Sequence, residues 1–181
     1  MNSPKKNGAK PLIILLLVFV LPVIVAKLVL SMNLYHGGAT NTGELLTPDT
    51  NYASLQMDNP WPQHWQVIYL LPEHCDDRCQ DRLYILQQSH IALGRDQDRI
   101  KPIVLLQPNS DLTALSNFTF DTAQANNAIA AMLTNQALII VDPLGALVMR
   151  YPEVANKDAQ ILQGKAMVTD LRKLLKLSRV G

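Results

Sequence analysis

Hydrophobic and polar positions divide the chain into three regimes. From position 12 to position 34 the residues are mostly apolar, with Lys27 as the one charge. From 35 to 63 turn-forming residues recur: Gly37-Gly38, Asn41, Gly43, Pro48, Asp49, Asn51, Asn59, Pro60 and Pro62. From 64 onward, short apolar runs alternate with stretches whose apolar residues fall three or four apart. A helix that spans a bilayer needs about 20 mostly apolar residues. The first regime therefore predicts a transmembrane anchor over 11–34, with Lys27 snorkelling towards the far interface. Lys5, Lys6 and Lys10 precede it, and a basic flank stays cytoplasmic, so 1–10 is expected inside and the C-terminal part outside. A cleaved signal peptide fits less well. The run is long for one, and Ile24-Val25-Ala26 is a poor cleavage site. The second regime, 35–63, reads as a linker with one short strand near 52–57. The third, 64–181, reads as the folded domain.

Within that domain, 66–71 is a nearly continuous apolar run ended by Pro72, as expected of a strand covered on both faces. Cys75, Cys79, Leu83, Leu86, His90 and Leu93 then recur at helical spacing, which predicts a helix from near Cys75 to Gly94 with both cysteines on its buried stripe. A charged loop, 95–99, leads to a second strand at 103–106. Residues 108–120 read as irregular. Asp121 reads as the cap of a helix to about 133. A third strand follows at 138–141. Asp142-Pro143-Leu144-Gly145 is a turn signal, and 146–151 returns as a hairpin strand. Residues 164–177 form an amphipathic last helix, with Met167, Leu171, Leu174 and Leu175 inward. Trp61 and Trp65 flank the entrance to the domain and are expected to pack on the sheet or at the membrane interface.

Composition adds one exclusion. The formal charge is +1, and no basic block stands beside stacking aromatics, so nucleic acid is not an expected partner.

Candidate chemistry rests on the two cysteines of the chain, Cys75 and Cys79, delivered by a strand to the start of a helix. Three readings stand side by side. A dithiol at a helix N-terminus has its thiolate favoured by backbone N–H groups and the helix dipole, which suits redox exchange. Two thiolates on one turn also suit a soft ion, Cu(I) above all. A structural disulfide is the third, although closing so short a loop stabilises little. Asp76 and Asp77 are expected to cap or solvate the helix start. His74 is a weak further metal ligand. His90 lies far along the helix and reads as a core histidine, whereas His36 and His64 lie in or beside the linker.

The element order β, α, β, α, β, β, α, with cysteines after the first strand, resembles the thioredoxin-like order. The chain is therefore expected to be α/β, a thioredoxin-like sheet flanked by helices, with one N-terminal transmembrane helix. The anchor, the CxxxC spacing and the later DPLG hairpin resemble the Sco/SenC group of membrane-anchored proteins of cytochrome c oxidase assembly. The stretches WQVIYLLPEHCDDRC, ALGRDQDRI, VDPLGALVMRYP and DLRKLLKLSRVG resemble more closely a group of proteobacterial cytochrome oxidase-associated transmembrane proteins. Sco motifs carry prolines around the cysteines, where this chain has Asp76, Asp77 and Arg78. They carry a histidine at the place of Thr134. A thioredoxin proline is replaced by Asn135-Gln136-Ala137.

The resemblance implies a single-pass protein of the bacterial inner membrane with its domain in the periplasm. It implies an accessory of oxidase assembly that works by thiol–disulfide exchange or transient Cu(I) handling at Cys75 and Cys79. Its partners would be an oxidase subunit or a copper chaperone. The departures leave open a non-catalytic scaffold with a structural disulfide. A peroxidase of the peroxiredoxin kind is a weaker third reading, because no activating Thr and Arg precede Cys75.

Overall fold

The computed structural model describes residues 10–31 and 41–178. The basic residues Lys5 and Lys6, the linker residues His36 and Gly37-Gly38, and Arg179 lie outside the described residues. The chain divides into two units, split at Thr40.

The first unit holds α1 (Lys10–Ser31), 22 residues with Pro22 inside it and no acidic residue in its first turn. At 1.5 Å per residue it is about 33 Å long, enough for a hydrocarbon core of about 30 Å. From Pro11 to Leu28 none of the segment is buried against protein, and it is long and apolar enough to cross a membrane.

The second unit is a six-stranded mixed sheet. Its strands are β1 (Glu44–Leu45), β2 (Trp65–Leu70), β3 (Ile100–Leu106), β4 (Asp121–Gln124), β5 (Leu138–Val141) and β6 (Leu147–Tyr151), in the spatial order β1-β6-β5-β2-β3-β4. β2 is central, parallel to β3 and antiparallel to β5. Its side chains enter two cores, one on each face. Val67 and Tyr69 join the core with Leu83, Leu86, Met167 and Leu171, under α2 (Asp77–Ala92) and α4 (Lys157–Leu177). Ile68 joins Ile103, Ile139, Ile129 and Tyr52 on the other face, under α3 (Asn127–Met132). Covered on both faces, β2 and β5 have no need of polar alternation, which is why both are apolar but for the buried Gln66 of β2.

Several expectations change. Residues 52–57 form turns rather than a strand, and Asn51 makes a single bridge to Ala146. The segment before the central strand contributes β1 instead, paired with β6. Asp121 caps no helix: it opens β4, an edge strand parallel to β3, and α3 starts later behind Asn126, whose side chain accepts from the Ile129 N–H. The last helix begins at Lys157, seven residues before the expected start, behind an Asn156 cap. Its first turn, Lys157 to Gln160, is mostly polar, so apolar spacing does not mark the start. The Asp142–Ala146 turn is as expected. Asp142 Oδ1 accepts from Leu144 N (2.9 Å) and Ala146 N (2.8 Å), and Gly145 supplies φ +93°, where a side chain would be strained.

Candidate functional site: the cysteine turn

The site is built on the exit from β2. Leu71 N–H still pairs with Leu105 O at 3.0 Å, and Pro72 has no N–H with which to continue the ladder. The loop after β3 grips the stretch that follows. Ser110 Oγ donates to Leu71 O (2.7 Å), and Asp111 N–H donates to Pro72 O (2.9 Å). Asp111 Oδ2 in turn accepts the Cys75 N–H at 3.4 Å. Asp76 is the N-cap of α2, with extended backbone, and its Oδ1 accepts the Cys79 N–H at 2.9 Å.

Cys75 and Cys79 are joined as a disulfide, with Cα atoms 5.1 Å apart. The helix starts at Asp77, so only Cys79 belongs to it. Cys75 lies before the cap, and the pair does not share a helical stripe as the spacing predicted. The physical reason is Asp76, whose carboxylate takes a first-turn N–H and holds its own backbone extended. This placement makes the two sulfurs unequal. Cys79 is fully buried in the α2/α4 core, while Cys75 is half-buried at its edge. Gln80 Nε2 lies 3.6 Å from Cys75 Sγ.

The electrostatics around the pair are acidic on the outside. The Cys79 N–H above all, helped by the Arg78 and Gln136 side chains, holds the Asp76 carboxyl below its usual range against the opposing effect of burial. The Thr113 hydroxyl, then the Cys75 N–H and nearby His74, do the same for Asp111. Both carboxylates stay ionised at neutral pH and disfavour a thiolate on Cys75.

The loop before β5 closes the site from the other side. Gln136 Nε2 reaches Asp76 Oδ1 at 3.5 Å, and Asn135 and Gln136 both have positive φ, 56° and 52°. Thr134 is exposed, with its hydroxyl on Ala131 O at 3.3 Å. Among the other candidates, His74 is exposed in the turn itself. His90 Nε2 is engaged with Gln97 O at 3.0 Å, and His64 Nδ1 lies 3.2 Å from Pro62 O. Among the described residues no three His, Cys, Asp or Glu side chains converge as a metal cluster. Two thiolates alone fit a linear Cu(I) cargo; they do not make the three-ligand set a Cu(II) centre asks for.

Sequence reasoning missed Arg82. It is fully buried, with Nη1 bonded to Gln163 Oε1 (2.5 Å) and Nη2 to Pro152 O (2.7 Å). Its place, directly before Leu83 and three residues after Cys79, was the available signal that it faces the core. A cleft of about 540 Å³ lies between α2 and α4, lined by residues such as Tyr84, Ile85, Gly164 and Val168, and it does not include the cysteines.

Residues 65–178 match the family model described as "Transmembrane-like, thioredoxin-like, C-terminal domain". The chain belongs to that family. No curated protein matches its sequence. Among solved structures, it is similar to apo Sco1 from Thermus thermophilus, with 17% identity and a TM-score of 0.51 over 76% of this chain and 99% of that one. It is also similar to yeast Sco1 with copper bound, again 17% identical, with a TM-score of 0.50 over 65% of this chain and 81% of that one. At this identity the likeness establishes the fold: the family member described here has a thioredoxin-like, Sco-like sheet, with the CxxxC turn at the end of its central strand.

Proposed function

We propose that this protein is a membrane-anchored thiol–disulfide exchange factor in cytochrome c oxidase assembly, with Cys75 as the accessible sulfur and Cys79 as its buried partner. The observation that carries this reading is the inequality of the pair. A disulfide with one sulfur at the surface and the other at the first turn of a helix is arranged for attack at one end and closure from the other. The anchor α1 and the Sco-like fold support the setting, a single-pass protein of the bacterial inner membrane with the domain in the periplasm, where disulfides persist. Its targets would be copper-site cysteines of an oxidase subunit, or a copper chaperone. Once reduced, the two thiolates would also suit transient passage of Cu(I) as cargo.

The test is a strain carrying Cys75→Ser and Cys79→Ser in place of the wild type. Loss of assembled oxidase at normal levels of the variant protein is the expected result; full assembly would remove the exchange chemistry. A second reading, a scaffold with a structural disulfide, is favoured by the ionised Asp76 and Asp111 and by Thr134. It predicts that full assembly.

A further inference from the structure

Among the described residues four buried donors have no partner, the Trp65 and Arg150 Nε groups and two that interact electrostatically with each other: the Tyr69 hydroxyl and Arg82 Nε. Both residues are fully buried. Buried donors in native proteins are nearly always paired, so two orphans that interact electrostatically call for an explanation. Their position supplies one. Arg82 lies three residues after Cys79, a spacing that puts two helical residues on one face about 5–6 Å apart at Cβ. Long helical side chains lean back over the preceding turn, here the turn that carries Cys79. The contacts of the guanidinium place it at that height. It bonds Pro152 O, and the next residue, Glu153, bonds Arg78 at 3.0 Å, immediately before Cys79. Tyr69 lies in the same core cluster as Cys79 and interacts electrostatically with Arg82, Asp76 and Glu153. In the disulfide state neither donor bonds the Cys79 sulfur, so engaging it takes a small movement of the side chains when the disulfide opens.

We propose that Tyr69 and Arg82 are positioning residues for Cys79, orphaned in the disulfide and engaged by the charged sulfur that forms when the disulfide opens. This rests on the exchange reading above and assigns its closing step. After Cys75 has reduced a partner disulfide, it is held in a mixed disulfide with one partner sulfur. Cys79 thiolate attacks Cys75 Sγ. The Cys75–Cys79 bond forms and the Cys75–partner bond breaks. The partner sulfur leaves with the bonding electron pair and takes a proton from water. Overall the dithiol loses two electrons and the partner disulfide gains them. The buried donors steady the negative sulfur before attack, while Asp76, Asp111 and Glu153 keep charge away from the exposed end and His74 and Arg78 offset them there.

The experiment uses the reduced full-length protein in detergent and an aromatic disulfide that releases a coloured thiolate. One equivalent is released when Cys75 forms the mixed disulfide, and a second when Cys79 resolves it. Tyr69→Phe should leave the first phase unchanged and slow the second by about tenfold, the order expected for one hydrogen bond to a charged group. Arg82→Met should slow it at least as much, with Arg82→Lys nearer to wild type. The same variants should shift the dithiol–disulfide equilibrium with glutathione towards the disulfide by about threefold, roughly 15 mV at 29.6 mV per tenfold. If Arg82→Met does not fold, Tyr69→Phe decides alone. A second phase at wild-type rate in the folded variants overturns the proposal and leaves the exchange reading standing. Absence of the first phase in the wild type overturns both.

Discussion

Asp170 sits in α4, 1% exposed, and its two oxygens take four donors. Oδ2 accepts Thr42 N–H (2.8 Å), Gly43 N–H (3.2 Å) and the Tyr151 hydroxyl (3.0 Å), and Lys173 Nζ lies 3.4 Å from Oδ1. The chain entering the domain is thus fastened to its last helix by one carboxylate. Burial pushes this carboxyl up, but the donors outweigh it and hold it below its ordinary value. A carboxyl depressed in the folded state stabilises fully above its unfolded value, about 3.9, and loses that contribution as pH falls through the folded value. Asp170→Asn should therefore lower stability at pH 7 by about 1–3 kcal/mol and flatten the acid side of the stability curve, measured by urea unfolding from pH 7 downward. Gly43 belongs to the same fastening. A Cβ there would stand 2.7 Å from Tyr151 Cζ and 2.9 Å from its Oη. Gly43→Ala should cost about 1–3 kcal/mol in the same assay. Asp170 was legible in principle, since it shares the inward face with Met167, Leu171 and Leu174. Apolar spacing alone passes over a buried charge of this kind, and it passed over Arg82 in the same way.

Elements were legible where burial leaves a pattern. β5 is apolar throughout and β2 is apolar apart from Gln66, and β5 spans Leu138–Val141 as expected. β4 is DTAQ, half exposed at the sheet edge, and carries neither an apolar run nor β-branched residues beyond Thr122. It exists because its backbone completes the ladder of β3, which no local signal announces. The start of α2 is decided by a cap rather than by periodicity, and that moved Cys75 out of the helix. Asp76→Ala should destabilise the domain by about 1 kcal/mol through loss of the cap. Asp76→Asn keeps an acceptor for the Cys79 N–H and removes the charge. It should leave thermal unfolding close to wild type and make the disulfide easier to reduce, read as a higher potential against glutathione. An unchanged potential would show that Asp76 acts on the fold alone. The α2–α4 pair has its own constraint, since a Cβ on Gly164 would meet Ile85 Cγ2 at 2.8 Å.

At the scale of the whole molecule, the fold class, an N-terminal helix long and apolar enough to cross a membrane and the location of the cysteine turn could be read from the chain. The roles of the two sulfurs could not. Spacing makes Cys75 and Cys79 equivalent members of one stripe. The sheet, the Asp76 cap and the loop at Ser110 and Asp111 make one an edge residue and the other a core residue. That inequality predicts an asymmetry between single variants. In cells, a lone Cys75 in the Cys79→Ser variant has no buried partner to release its mixed disulfide and should accumulate one. A lone Cys79 in Cys75→Ser, sealed in the core, should not. The measurement is non-reducing separation of the membrane fraction, followed by mass spectrometry of the linked peptides. A Cys75-linked species is expected in Cys79→Ser, carrying a copper-site cysteine of an oxidase subunit or a copper chaperone, and none in Cys75→Ser. Equal trapping by both variants, or by neither, would contradict that asymmetry.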